Sequence, residues 1–122
     1  MNKKIITLAL MFCTTIKAEL MTVQHLKDLL NSGHAGEVAA VSYVNGAVDG
    51  LLAMDSLNNK EKNIPLEFCK LHEAGKSGNP LIKHPAYRTR EIVEEWERLK
   101  EPMNFLAIDL VLSYLTSQYS CD

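Results

Sequence analysis

The stretch Gly36–Ser56, GEVAAVSYVNGAVDGLLAMDS, decides the fold class of this chain. Valine, leucine and alanine occur on every side of a helix drawn through it, which is typical of a buried central helix. Ser42, Gly46 and Gly50 follow one another at four-residue spacing and would form a ridge of small side chains. We expect another helix to pack closely there; the alternative is that the glycines only weaken the helix, by about 1 kcal/mol each.

Periodic apolar residues predict four more helices around this one. Thr22 can cap a helix over Val23–Ser32, Pro65 suits the first turn of a short helix ending near Ala74, and Ala86–Lys100 is amphipathic. The last helix follows Pro102, and its expected core seam is Phe105, Ile108, Leu112, Leu115 and Tyr119. No strand-like alternation competes, so we expect an all-α fold, a small compact bundle of about five helices with one disulfide.

Two segments are predicted connections. Leu57–Asn63 (LNNKEKN) is polar after its first residue. Gly75–Pro85 (GKSGNPLIKHP) contains two glycines and two prolines, which break helices. The second is the longest irregular segment predicted after the N-terminal region.

The first eighteen residues are typical of a secretory signal peptide. Lys3 and Lys4 precede an apolar run over Ile5–Phe12, and Ala18 supplies a small residue at the cleavage position. The run is too short for a membrane span, which takes about 20 residues. We therefore expect residues 1–18 to be removed, and residues 19–122 to form one domain in the periplasm, with no membrane attachment.

Cleavage makes the chain more acidic. Losing Lys3, Lys4 and Lys17 reduces the 13 basic residues to 10 against 15 acidic ones, a formal charge of −5. This argues against nucleic acid or an anionic membrane surface as a partner and favours a basic or neutral protein.

Cleavage also removes Cys13 and leaves Cys69 and Cys121. An even pair in an exported chain predicts a disulfide. A bridge across this span stabilises a fold by roughly 4 kcal/mol in the loop-entropy model. The alternative, a nucleophilic Cys69 assisted by His72, fits an exported protein less well.

Enzyme, metal and cofactor signatures are lacking in the sequence. The histidines do not show the short paired spacing of a zinc site, and there is no nucleophile elbow or phosphate-binding glycine loop. We expect a binding module with no catalytic residues, no metal and no cofactor.

Asp49 is unusual because it lies in the most apolar helix, where a buried carboxylate is costly without a partner. The structural interpretation is a clamp to a backbone terminus or to a cation such as Arg88 or Arg90. The functional interpretation is a contact exposed in a groove or subunit interface.

Three motifs occur in order after the leader: Tyr43-x-x-Gly46-x-x-Asp49-Gly50, Phe68-Cys69 and Tyr119-Ser120-Cys121. Together they resemble the periplasmic immunity proteins of type VI secretion amidases, the Tai/Rap group. The resemblance implies a small helical protein, typically a homodimer, that binds a toxic peptidoglycan amidase and blocks its active-site cleft.

If the resemblance holds, the 75–85 loop is the expected contact. Its polar positions are Lys76, Ser77, Gly78, Asn79 and His84, with Lys70 and Glu73 on the preceding helix as a second surface. The alternative site is Asn58–Lys62. Two other functions fit the composition: a periplasmic acid-stress chaperone and an inhibitor of lysozyme.

Overall fold

The computed structural model describes residues 20–77 and 84–122, which form five α-helices and one 3₁₀ turn. The helices are α1 (Val23–Leu30), α2 (His34–Lys62), α3 (Cys69–Ser77), α4 (Thr89–Arg98) and α5 (Ala107–Gln118), and the 3₁₀ turn is Pro85–Arg88. The predicted all-α bundle with one disulfide is confirmed. The predicted signal peptide lies outside the described residues.

Helix α1 begins where the sequence predicts. The Thr22 hydroxyl accepts a hydrogen bond from the His25 amide at 3.1 Å. The amide of Val23 donates to the Phe105 carbonyl at 2.9 Å, so the connection before α5 satisfies a helix-start donor that has no intrahelical partner. The start of α1 is thereby fixed to the start of α5.

The turn between α1 and α2 depends on glycine. Gly33 has φ +103°, a conformation that side chains disfavour. At Gly36, a Cβ would lie 2.0 Å from the Ser32 Oγ and 2.3 Å from the Leu29 carbonyl oxygen. Glycine at both positions therefore allows α1 and α2 to pack as a tight hairpin.

Helix α2 is longer than predicted, and its last residues correct the expected connection at Leu57–Asn63. The helix continues to Lys62, where Lys60 and Lys62 interact favourably with the helix dipole. It ends because Asn63 adopts a left-handed conformation (φ 56°) and the Ile64 amide returns to the Asn58 carbonyl at 3.2 Å. The alternative site at Asn58–Lys62 is therefore helix surface rather than loop.

The expectation that α2 is buried on all sides is wrong. Its buried residues are Ala40, Val44, Val48 and Asp55. Val38 and Met54 are 49% and 57% exposed. The helix has 29 residues, about 43 Å of length. The elements packed against it are α1, α4, α5 and the 3₁₀ turn, all much shorter, and they cover one side.

The close helix packing expected at the glycine ridge is also absent from the described residues. Gly46 and Gly50 are exposed, and a Cβ at either would meet nothing within 4 Å. Both lie on the uncovered side of α2, so the alternative interpretation, that they weaken this helix, fits the monomer.

The core lies between α1, α2, α4 and α5. Its buried apolar residues are Val23, Leu26, Leu30, Ala40, Val44, Val48, Phe68, Leu71, Ala86, Ile92, Val93, Trp96, Ala107, Leu110, Val111 and Leu115. None of the helices in the described ranges is both long and apolar enough to span a membrane.

The predicted core seam of α5 is wrong at Phe105 and Leu112, whereas Leu115 is buried and Tyr119 is partly buried against the core. Phe105 and Leu112 are 46% and 38% exposed, whereas Leu110 and Val111 are buried. The helix begins at Ala107, whose amide donates to the Met21 carbonyl at 2.8 Å. This backbone contact buries Ala107 and sets the rotation of the helix.

Helix α4 buries three of its four predicted core residues: Ile92, Val93 and Trp96. Leu99 is 55% exposed because α4 ends at Arg98 and Leu99 is its C-cap. The first residues predicted for this helix form the 3₁₀ turn instead.

Candidate partner-binding site

Helix α3 starts and ends later than predicted. It begins at Cys69 rather than near Pro65 and extends to Ser77, so Gly75, Lys76 and Ser77 are helical rather than part of a loop. It lies at the periphery of the bundle, where Leu71 and the preceding residue Phe68 are the buried apolar contacts with the core. Its position therefore depends on specific polar and covalent contacts.

Asp55 of α2 fixes the segment that leads into α3. Its Oδ1 accepts from the Glu67 amide at 2.9 Å, and its Oδ2 accepts from the Phe68 amide at 3.1 Å. The same Oδ2 lies 2.9 Å from the His72 Nε2. Burial opposes ionisation of Asp55, but these hydrogen bonds outweigh it and lower the pKa of its carboxyl. This buried carboxylate holds the two amides just before Cys69 and thereby sets where α3 starts.

The predicted disulfide is present. Cys69 and Cys121 are bridged, with their Cα atoms 4.6 Å apart. The Cys69 amide points to the Cys121 sulfur at 3.2 Å. The bridge therefore holds the C-terminal residues of the chain against the first turn of α3, and Cys69 is a structural residue.

His84, which follows residues 78–83, is also anchored to α2. The His84 Nδ1 accepts from the Ala86 amide at 3.1 Å and caps the 3₁₀ turn. Because Nδ1 is the acceptor, Nε2 carries the proton in the neutral ring, and it faces Asp49 Oδ1 at 3.0 Å. The structure thus corrects the partner expected for Asp49: it is His84, and not Arg88 or Arg90.

Two histidine–aspartate pairs therefore attach the chain to α2 on either side of residues 78–83. The pair before the segment is buried, since the Asp55 side chain is 6% exposed, whereas the Asp49 side chain is 62% exposed. Two of the predicted contact residues, Gly78 and Asn79, lie outside the described residues. The backbone that leads to and from them is fixed at both ends.

The exposed face of α3 carries the predicted residues Lys70, Glu73 and Lys76. They follow one another at three-residue spacing, which places neighbours on the same side of a helix. Within the described part of the chain these three side chains form no hydrogen bond or ion pair. Their charges are available to a partner.

The four residues of the first motif do not form one site. Tyr43 is half-buried against the core, and burial, followed by the nearby Asp109, raises the pKa of its hydroxyl. Gly46, Asp49 and Gly50 lie on the exposed side of α2.

Asp55 was missed by sequence reasoning, which assigned the clamp to Asp49. A signal did exist: Asp55 lies in the same apolar helix, and a carboxylate there needs donors such as the free amides at the start of the next helix.

No family model matches this chain, and no curated protein or solved structure shows significant similarity to it. Among residues 20–77 and 84–122, no group of three histidine, cysteine, aspartate or glutamate side chains is arranged to hold a metal ion.

Proposed function

We propose that this chain is a periplasmic immunity protein that binds a peptidoglycan amidase effector of type VI secretion and inhibits it by occluding the active-site cleft. The mature protein acts as a homodimer. The ordered motifs described in the sequence support this assignment, as does a disulfide of the kind found in exported proteins.

The observation that carries the proposal is the attachment of α3 and the 3₁₀ turn to α2. A protruding element blocks a cleft best when it is ordered before binding, because ordering each flexible side chain on binding costs about 0.5–1.5 kcal/mol. The Asp55–His72 pair and the disulfide fix the base of α3. The Asp49–His84 pair fixes the other end of the segment.

The polar face of α3 supplies the contacts. Lys70, Glu73 and Lys76 project from a helix at the edge of the bundle, and residues 78–83 continue from its end. In the dimer, α3 of one subunit contacts the amidase beside residues 78–83 of the other subunit. Charge on an exposed face gives specificity and faster association more than raw affinity.

We expect an amidase-type toxin to be encoded beside this gene, and the test is an inhibition assay with that enzyme. A triple variant, Lys70→Ala with Glu73→Ala and Lys76→Ala, should still fold, because exposed polar substitutions usually change stability by less than about 0.5 kcal/mol. It should inhibit peptidoglycan hydrolysis less and protect cells less than the wild type.

A matched control is available at the end of α2. Lys60→Ala with Glu61→Ala and Lys62→Ala removes the same residue types from another exposed helix end and should leave inhibition intact. If the control lost inhibition and the α3 variant did not, the site would lie at the end of α2. Inhibition of lysozyme with no effect on the amidase would refute the proposed target.

A further inference from the structure

A second surface lies on another side of the bundle, between α4 and α5. It is a groove of about 720 Å³, within the range of about 300–1,000 Å³ usual for binding pockets. Its apolar floor is formed by the buried residues Ile92, Trp96 and Leu110, and Leu99 and Phe105, which are 55% and 46% exposed, also line it. The Trp96 indole N–H donates to the Pro102 carbonyl at 3.0 Å, which fixes the ring.

The rim of this groove is acidic. Glu91, Glu95 and Glu101 line it, and Arg88 is the basic residue beside them. Glu95 is already paired with Arg98 at 2.5 Å. The Arg88 guanidinium is engaged by the Tyr114 hydroxyl, which raises the pKa of Arg88.

Two carboxylates of the rim have no direct partner. The Arg88 guanidinium attracts Glu91, but neither Glu91 nor Glu101 forms a hydrogen bond or an ion pair through its side chain within the described residues. Both are exposed and lie beside the apolar floor. The groove thus joins an apolar surface to negative charge that is only partly compensated.

We propose that this groove binds a segment of a partner protein that presents an apolar side chain flanked by lysine or arginine. The apolar side chain would cover Leu99 and Phe105 beside the buried Trp96, while the flanking cations would pair with Glu91 and Glu101. A cation over the exposed face of Phe105 gains a further attraction from the ring. The acidic rim disfavours nucleic acid and anionic lipid. This inference does not depend on amidase inhibition, since it concerns a different surface.

Trp96 provides the readout because it is the only tryptophan of the chain. The purified protein is titrated with a panel of ten-residue peptides in which leucine or phenylalanine is flanked by arginine or lysine. Acidic peptides of the same apolar content serve for comparison. We expect a saturable change in Trp96 fluorescence with the cationic peptides, weaker at high salt because exposed charges are screened.

The charge contribution is tested with two double variants. Glu91→Gln with Glu101→Gln should weaken peptide binding about tenfold, the loss expected from two exposed ion pairs. Glu61→Gln with Glu94→Gln removes the same charge from exposed sites outside the groove and should change binding little. Ser117→Lys, which places a competing cation on the groove wall, should also weaken it.

Several results would overturn the proposal. These are no fluorescence change with any cationic peptide, equal binding of acidic peptides, or equal losses in the two double variants. Contact between the groove and a second copy in a dimer would assign the groove to that copy. Contact with residues 1–18, in protein whose mass shows that they are retained, would assign it to the leader.

Discussion

Replacing Asp55 with alanine tests whether one buried carboxylate positions α3. The substitution removes the acceptor for the Glu67 and Phe68 amides and the partner of His72. Phe68 is 2% exposed, so its amide would have little access to water as a replacement. We therefore expect a loss well above that of an ordinary surface substitution.

The magnitude follows from these contacts. Hydrogen bonds to a charged group contribute about 1.5–3 kcal/mol each, and the loss of a helix cap costs about 0.5–2 kcal/mol. Contacts within one network are not additive, so we expect Asp55→Ala to lower the free energy of unfolding by about 3 kcal/mol. Asp55→Asn retains one acceptor oxygen, so its free energy of unfolding should lie between those of Asp55→Ala and the wild type.

The pH dependence has a defined sign. The pKa of Asp55 is lower in the folded protein than in the unfolded chain. Its contribution is therefore complete above the ordinary aspartate pKa of about 3.9 and is lost as the pH falls through the folded value. The difference between the wild type and Asp55→Ala should be largest near neutral pH and should shrink in acid, as the pH falls through the folded pKa of Asp55.

Urea unfolding followed by circular dichroism measures both effects. Asp49→Ala is the matched control, since it removes the other aspartate–histidine pair of α2 from an exposed site and should cost less than about 1 kcal/mol. The reasoning is refuted if the two variants lose equal stability at neutral pH, or if the loss in Asp55→Ala is the same in acid.

Three further predictions concern the rest of the chain. Gly50→Ala should stabilise the protein by about 0.5–1 kcal/mol, because this helical glycine has open space around it; a lower thermal midpoint would show that the position is packed. Replacing Cys69 and Cys121 with serine should lower the free energy of unfolding by up to about 4 kcal/mol, and the urea midpoint with it; an unchanged midpoint would contradict the role of the bridge. Mass spectrometry of periplasmic protein should find a chain beginning at Glu19 without a free thiol, and recovery of an intact leader would refute cleavage.

The sequence predicts the helices well because they depend on local signals, such as the Thr22 cap and the apolar periodicity of α1 and α4. The disulfide is not local, but only two cysteines follow the predicted leader and they can pair in one way. The end of α2 was missed because Asn63 ends the helix through its left-handed conformation, while the polar residues before it remain helical.

The errors in burial have a different cause. Apolar content predicted that α2 was enclosed, but enclosure depends on how many other helices can reach its surface. The rotation of α5 was likewise set by the backbone contact of Ala107 with Met21, which links distant parts of the chain. Periodicity alone cannot distinguish Leu112, which is exposed, from Val111, which is buried.

Helix α3 of the candidate site is held by side-chain and covalent contacts more than by helix packing. Its anchors, Asp55 with His72 and the bridge at Cys69, lie at its base, whereas Lys70 and Lys76 point away from them. Changing the exposed residues therefore leaves the anchors and the core untouched. Under the proposed function this separation is useful, since the contact residues can vary while the element that presents them keeps its place.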